Sequence, residues 1–104
     1  DYPLSMLETG KRLDVPVIKL FSMSKKFIEK KGDKESRKYF MHLKPDVYPN
    51  YIEGLSNDNT HLQYEGAVVF EYMIGIGLRN LGGIYKELLL KPEELEDVYI
   101  AGEL

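Results

Sequence analysis

The sequence predicts an α/β fold of which this chain holds one part, with several helices and a single strand. The chain has 104 residues and is 43% hydrophobic, which is enough for one core. Apolar residues recur at helical spacing in about five segments, whereas residues 15–21 (VPVIKLF) form an apolar, β-branched run of strand length. Such a strand is typical of a buried parallel sheet, yet no neighbouring strand is evident. We therefore expect residues 1–104 to be a single partial domain, mostly α-helical, with one main strand.

The first half of the chain predicts helices on both sides of that strand. Residues 3–14 have roughly helical apolar spacing, and proline suits a first helical turn. After the strand, Ser22 or Ser24 can cap a helix that buries an apolar face. Gly32 is expected to end this helix, and a further helix is expected to run from residue 33 to residue 41.

The second half predicts a long loop followed by a long helix. Residues 43–60 contain prolines, a glycine and several Asn and Asp residues without a sustained period, which is typical of a functional loop. Thr60 and Gln63 have the spacing of a capping box. Glycines at 82 and 83 should stop the helix, and residues 82–104 should form a helical extension. The predicted buried face of the long helix consists of Ala67, Phe70, Met73, Ile74, Gly77, Leu78 and Leu81.

Charge and composition exclude several classes of function. A net charge of −3 with both signs interspersed argues against a nucleic-acid binder or a membrane-surface binder. Residues 25–38 hold seven Lys or Arg against three acids, which a solvated helix face explains better than a binding patch. The absence of cysteine excludes disulfides and thiolate chemistry. The opening DYPLSMLETG resembles the interior of a protein rather than a signal peptide.

Asp58 and His61 are the candidate catalytic pair. A carboxylate three residues before an imidazole can hold the tautomer whose other nitrogen accepts a proton from a serine hydroxyl. A position near a helix N-terminus would favour the neutral imidazole. On spacing alone, a solvated or capping role is the more common outcome for such a pair.

The surrounding segments strengthen the catalytic interpretation. In order and spacing, VPVIKLFSMSKKFIEKKGDKESRKYF, MHLKPDVYPNY and NDNTHLQYEGA resemble the C-terminal half of the SGNH or GDSL hydrolase superfamily, and most closely the bacterial rhamnogalacturonan acetylesterases. The resemblance runs from about Tyr2 to Leu81. It implies the C-terminal half of a three-layer αβα, flavodoxin-like fold. It also implies a serine esterase that removes acetyl groups from an acidic polysaccharide outside the cell or in the periplasm.

The resemblance assigns roles to the pair and also shows what this chain lacks. By resemblance, Asp58 is the orienting carboxylate and His61 the general base of a Ser-His-Asp triad. The family's nucleophile lies in a Gly-Asp-Ser block, and its oxyanion hole uses a Gly-x-Asn-Asp block; neither block occurs here. Losing one oxyanion donor costs roughly a hundredfold or more in rate. We therefore expect this chain to be inactive until the missing N-terminal half is supplied.

Other candidate residues have simpler interpretations. His42 follows a predicted helix end, where a structural or supporting role is expected. Tyr48, Asn50 and Tyr51 lie in the loop before the pair and are candidates for contact with a sugar, although aromatic anchoring of the loop is the commoner use of such tyrosines. No spacing of histidines and carboxylates predicts a metal site, and no cofactor is expected.

Two alternatives remain open at the level of sequence. The chain could instead be a small helical interaction module whose strand mediates dimerisation, or a complete esterase that uses one of its own serines. In either the partial-domain or the module interpretation, the strand would have unpaired edges, which promote edge pairing. A homo-oligomer formed through that strand is therefore expected for the isolated chain.

Overall fold

A computed structural model of the protein describes residues 1–44, 48 and 57–89. The secondary-structure elements within these residues are helical. Helix α1 spans Tyr2–Leu13, α2 spans Leu20–Ser36, α3 spans Tyr64–Leu81 and α4 spans Gly83–Glu87, and Arg37–Tyr39 form a 3-10 turn after α2. The mostly helical character predicted for the chain is confirmed. In the part of the chain that the structure describes, no helix has the length and apolarity needed to cross a membrane.

Helix α1 confirms the short helix predicted over residues 3–14. Pro3 lies in its first turn, where a missing N–H costs nothing. The helix ends at Asp14, which adopts a left-handed conformation with φ 54°. The backbone N–H of Val15 then donates to the carbonyl of Gly10 at 2.8 Å, so the chain turns back across the end of the helix.

The prediction of a strand over residues 15–21 is wrong. Residues 15–19 connect two helices, and the last two residues of the predicted strand form the first turn of α2. A strand needs a neighbour for its backbone N–H and C=O groups, and residues 1–44, 48 and 57–89 supply none here. Instead, Val17 packs against Gly10 and Ile18 packs against Gly77, so this connection lies between α1 and α3.

Helix α2 is kinked at the glycine where the sequence predicts a break. Gly32 has φ 78° and ψ 168°, a conformation that a side chain would strain, and it divides the helix into two pieces. The helix starts earlier than predicted, at Leu20, so Ser24 lies inside it and donates to the carbonyl of Phe21. The second piece stops before residue 41 because Phe40 is extended and forms an antiparallel bridge with Leu62.

Helix α3 buries a stripe that matches the predicted face at Met73 and Gly77 only. Its buried residues are Gly66, Val69, Met73 and Gly77, whereas the predicted Ala67 is exposed. At Gly66 the helix packs against the backbone of Tyr39, and at Gly77 it packs against the side chain of Ile18. These two close contacts determine which face of the helix is buried. Gly82, with φ 71°, ends the helix as predicted. The short helix predicted after it is confirmed as α4, and the rest of the predicted extension, residues 90–104, lies outside the described residues.

The core positions the segment that carries the candidate site. Its buried apolar side chains are Phe27, Tyr39, Val69 and Met73, contributed by α2, the 3-10 turn and α3. The rings of Phe27 and Tyr39 meet edge to face with centroids 5.1 Å apart, an arrangement worth about 0.5–1.5 kcal/mol beyond burial. With Tyr39 only 1% exposed, the chain that follows it is fixed against the N-terminal end of α3.

Candidate active site

The candidate site is a short turn, residues 57–63, that leads into α3. Asp58 organises it by accepting two backbone hydrogen bonds with Oδ1, from the N–H of Thr60 at 2.8 Å and from that of His61 at 2.9 Å. Aspartate commonly stabilises turns in this way because its short side chain reaches the backbone two or three residues further on. The turn is therefore encoded locally by the aspartate.

The same hydrogen bonds favour the charged carboxylate of Asp58. The backbone N–H of His61 contributes most, followed by the backbone N–H of Thr60 and then the side chain of His61. Together they lower the pKa of Asp58 from 3.8 to about 2. Asp58 is thus an anion at every pH at which an esterase is expected to work.

The second carboxylate oxygen of Asp58 binds the imidazole of His61. Nδ1 of His61 lies 2.7 Å from Oδ2 of Asp58, so in the neutral ring Nδ1 carries the proton and donates it. Nε2 then has a free lone pair that can accept a proton. The side chain of His61 is 76% exposed, so the base faces solvent. The side chain of Asp58 is only 21% exposed, and it binds the imidazole from this less exposed position. This arrangement suits a general base oriented by an acid.

Backbone contacts hold the turn against the segment that follows α2. The N–H of Met41 donates to the carbonyl of His61 at 2.9 Å, and the N–H of Gln63 donates to the carbonyl of Tyr39 at 3.0 Å. The side-chain amide of Gln63 donates to the carbonyl of Phe40. These bonds lie on both sides of the bridge between Phe40 and Leu62, which places His61 at the end of a short paired segment.

Gly66 permits this close packing. A Cβ atom built on Gly66 would overlap the carbonyl oxygen of Tyr39 and lie 2.9 Å from its carbonyl carbon. The backbone of α3 therefore touches the backbone of Tyr39 directly. This contact explains why a glycine follows residues 58–61 (DNTH), which the sequence alone did not explain.

The capping box predicted from Thr60 and Gln63 is wrong. Gln63 is itself the N-cap residue of α3, with an extended backbone and no side-chain capping bond, because its amide is engaged with Phe40. The first helical residue is Tyr64, so His61 lies outside the first turn of α3. The influence of a helix dipole fades within that turn, and Asp58 is therefore the main organiser of the imidazole.

His42 contacts the same turn, which sequence reasoning missed. Its Nε2 lies 2.7 Å from Oδ1 of Asn59, the residue immediately after Asp58. The two residues are 17 positions apart, so no local spacing signals the contact. The prediction of a supporting role for His42 is consistent with this hydrogen bond, but the site that it supports was not foreseen.

The predicted sugar-contacting residues are only partly described. Tyr48 is 48% exposed, and its backbone N–H donates to the carbonyl of Lys44 at 3.0 Å. Asn50 and Tyr51 lie outside the described residues. Among residues 1–44, 48 and 57–89, no three His, Cys, Asp or Glu side chains are grouped so that they could hold a metal ion.

Three serine hydroxyls of the described chain have local partners. Ser5, Ser24 and Ser36 each donate to a backbone carbonyl three or four residues earlier, at 3.1 to 3.2 Å. Such hydroxyls belong to the hydrogen bonding of their own helices, which does not favour a role as nucleophile.

Comparison with known proteins agrees with the motif. The chain is 37% identical over 98 residues to the rhamnogalacturonan acetylesterase RhgT of Bacillus subtilis (strain 168). The alignment covers 94% of this chain and 42% of RhgT, so the chain spans less than half the length of that relative. No family model matches the chain, and no solved structure matches it. The predicted resemblance to rhamnogalacturonan acetylesterases is thereby confirmed.

Proposed function

We propose that this chain is the C-terminal portion of a serine carbohydrate esterase that hydrolyses acetyl esters on rhamnogalacturonan or a related pectic polysaccharide. The hydrogen bond between His61 Nδ1 and Asp58 Oδ2, at 2.7 Å, is the observation that carries this proposal. It leaves Nε2 as an accessible base with a fixed tautomer. The identity to a protein named as a rhamnogalacturonan acetylesterase supports the substrate class.

In the proposed reaction, His61 moves one proton in each half of the cycle. Nε2 accepts the proton of a serine hydroxyl while the serine oxygen attacks the acetyl carbonyl, and Asp58 stabilises the imidazolium that forms. The imidazolium then protonates the departing sugar oxygen, which leaves an acetyl-serine. In the second half, His61 takes a proton from water as the water attacks the acetyl group. Acetate leaves, and the proton returns to the serine oxygen.

The nucleophile and the oxyanion donors are proposed to come from the missing N-terminal half of the same domain. The sequence has no Gly-Asp-Ser block and no Gly-x-Asn-Asp block. Since electrostatic stabilisation of the oxyanion is commonly the largest catalytic contribution, the chain alone is proposed to be inactive. The complete domain is proposed to have the three-layer α/β fold, and exposed Val15 and Phe21, at 55% and 56%, are apolar side chains that it would cover.

Substrate contacts and location follow from the same proposal. Tyr48, Asn50 and Tyr51 are proposed to contact the sugar, since aromatic rings and amides are common in carbohydrate sites and the exposed Tyr48 is available for stacking. The similarity to a rhamnogalacturonan acetylesterase supports placing the complete enzyme outside the cell or in the periplasm.

The exposed apolar side chains also favour self-association of the isolated chain. In addition to Val15 and Phe21, which lie after α1, the helix itself has exposed apolar side chains at Leu4, Met6 and Leu13. We propose that these side chains contribute to an interaction surface, since large exposed apolar patches are typical of interaction sites. Without the rest of the domain, we expect a homo-oligomer in which these side chains are covered. A monomer in sedimentation equilibrium at micromolar concentration would contradict this expectation, and it would also disfavour the alternative of a dimerisation module.

The decisive experiment measures p-nitrophenyl acetate hydrolysis by the chain alone, by the chain mixed with a separately expressed N-terminal half, and by the same mixture with H61A. The proposal expects activity only in the mixture, and its loss in H61A. Lys25→Ala, at an exposed residue of α2 outside the turn, serves as the control substitution that should leave the activity of the mixture unchanged. Activity of the lone chain would require a nucleophile among its own serines, and silence of every mixture would favour the interaction module.

A further inference from the structure

We infer that His42 is a positioning residue for the pair Asp58 and His61, acting through Asn59; as a statement about catalysis, this rests on the proposed function. The hydrogen bond between His42 Nε2 and Asn59 Oδ1, at 2.7 Å, joins the segment after α2 to the part of the turn that contains Asp58. Histidine 42 does not contact His61 or the reacting atoms. Its effect is on the geometry of their support.

Two backbone hydrogen bonds hold the second half of the turn, residues 61–63, against the segment after α2. Backbone bonds tie the carbonyl of His61 to Met41 and the N–H of Gln63 to Tyr39. These bonds fix the second half of the turn, but they do not bind Asp58 or Asn59. The contact with His42 fixes the first half, at the residue next to the carboxylate.

The chemistry of the two partners makes this contact directional. Oδ1 of an asparagine only accepts hydrogen bonds, so Nε2 of His42 must carry the proton and donate it. Protonation of the ring would leave this donor in place. The contact therefore persists whether His42 is neutral or charged, and it sets the position of Asn59 without entering the proton transfer.

Loss of this contact should loosen the carboxylate rather than unfold the chain. Asn59 is exposed and His42 is half-buried, and neither belongs to the apolar core. Without the contact, the backbone on either side of Asn59 regains freedom, and Asp58 spends more time away from His61 Nδ1. The net free energy of a neutral hydrogen bond corresponds to about a fivefold change in the ratio of paired to unpaired Asp58 and His61.

The test reads the tautomer of His61 in the full 104-residue chain by long-range ¹H–¹⁵N spectra, at a pH where both imidazoles are neutral. The chain has two histidines, so H42A also assigns the remaining ring. We expect the ratio of the Nδ1–H to the Nε2–H tautomer of His61 to fall about fivefold in H42A and in N59A. The double variant should fall no further, because both substitutions remove one contact. His42→Gln, whose amide can donate from the position of Nε2, should retain the wild-type ratio.

An unchanged ratio in both H42A and N59A would overturn the inference, as would a double variant in which the two effects add. Far-UV circular dichroism of each variant checks that the helices remain, and the exposed N59A provides the measurement if H42A fails to fold. The tautomer ratio is read without substrate, so it is independent of esterase activity. In an active mixture of the two halves, H42A should lower kcat with little change in KM; if no mixture is active, the proposed function fails while the ratio still decides the role of His42.

Discussion

Replacing Gly66 with alanine should move α3 away from Tyr39 and so weaken the backbone contacts that hold the candidate site in place. The added Cβ would overlap the carbonyl oxygen of Tyr39 and lie 2.9 Å from the carbonyl carbon and 3.2 Å from Cδ2 of Leu62. Two of these three atoms are backbone atoms of a residue that is 1% exposed, so they cannot move aside independently. Helix α3 must therefore shift away from the segment after α2.

The expected loss of stability is the balance of three contributions. Overpacking of a tight contact costs about 1–3 kcal/mol. The shift also weakens the bonds from Met41 to His61 and from Gln63 to Tyr39, each worth about 0.5–1.5 kcal/mol. Against these, alanine favours a helix over glycine by roughly 1 kcal/mol. We expect the free energy of unfolding to fall by about 3 kcal/mol, the balance of the central values of these terms.

Gly75 provides the matched control in the same helix. The nearest atom to a Cβ at that position is Cδ2 of Leu89 at 3.9 Å, an ordinary contact. Gly75→Ala should therefore gain about 0.5–1 kcal/mol from helix propensity alone. Urea unfolding followed by circular dichroism at 222 nm measures both variants. If Gly66→Ala is as stable as the wild type while Gly75→Ala is stabilised, the close approach of α3 to Tyr39 is refuted.

Three further predictions concern the turn, a helix end and the surface. The carboxyl of Asp58 should titrate near pH 2 by ¹³C NMR. Because this pKa is lowered on folding, its contribution to stability is present above the ordinary value of 3.8 and is lost as the pH falls toward 2; a midpoint near 3.8 would mean that the turn does not form. Gly82→Ala should lose about 1–3 kcal/mol of stability, since φ 71° with ψ −166° suits only glycine, and an unchanged urea midpoint would contradict that geometry. Lys25→Ala should change stability by less than about 0.5 kcal/mol, because its pair with Glu29 is exposed, and a larger loss would reveal a further contact.

Local signals predicted the helices and their interruptions. Gly32 and Gly82 adopt positive φ at the positions where the sequence predicts helix breaks, since a glycine that follows an apolar period is a strong stop signal. The buried stripe of α3 was displaced from the predicted face because apolar side chains were taken as its markers. Met73 and Gly77 were predicted, but Gly66 was not, and it is buried because the helix backbone there is in contact with the backbone of Tyr39.

The predicted strand failed because a sheet is a property of several segments. An apolar, β-branched run such as residues 15–21 is compatible with a buried strand or with buried irregular chain, and only a neighbour decides between them. In the part of the chain that the structure describes, the available neighbours are helices. Val17 and Ile18 therefore pack on glycines of α1 and α3.

The candidate site shows the same division between local and distant contacts. Asp58 and His61 are three residues apart, a spacing that allows them to pair, and the resemblance of the surrounding segments made this pair the candidate site. The contact between His42 and Asn59, and that between Gly66 and Tyr39, join residues far apart in the chain. No period or spacing in the sequence predicts these two contacts. They depend on the packing of α2 against α3 and are known only from the structure.

The bridge between Phe40 and Leu62 joins the segment after α2 to the turn that contains His61. The bonds that orient His61 come from residues on either side of this bridge and from within the turn. Doubling the length of a closed loop costs only about 0.6 kcal/mol. Insertions and deletions between residues 43 and 56 should therefore cost little stability and should leave the hydrogen bond between Asp58 and His61 in place.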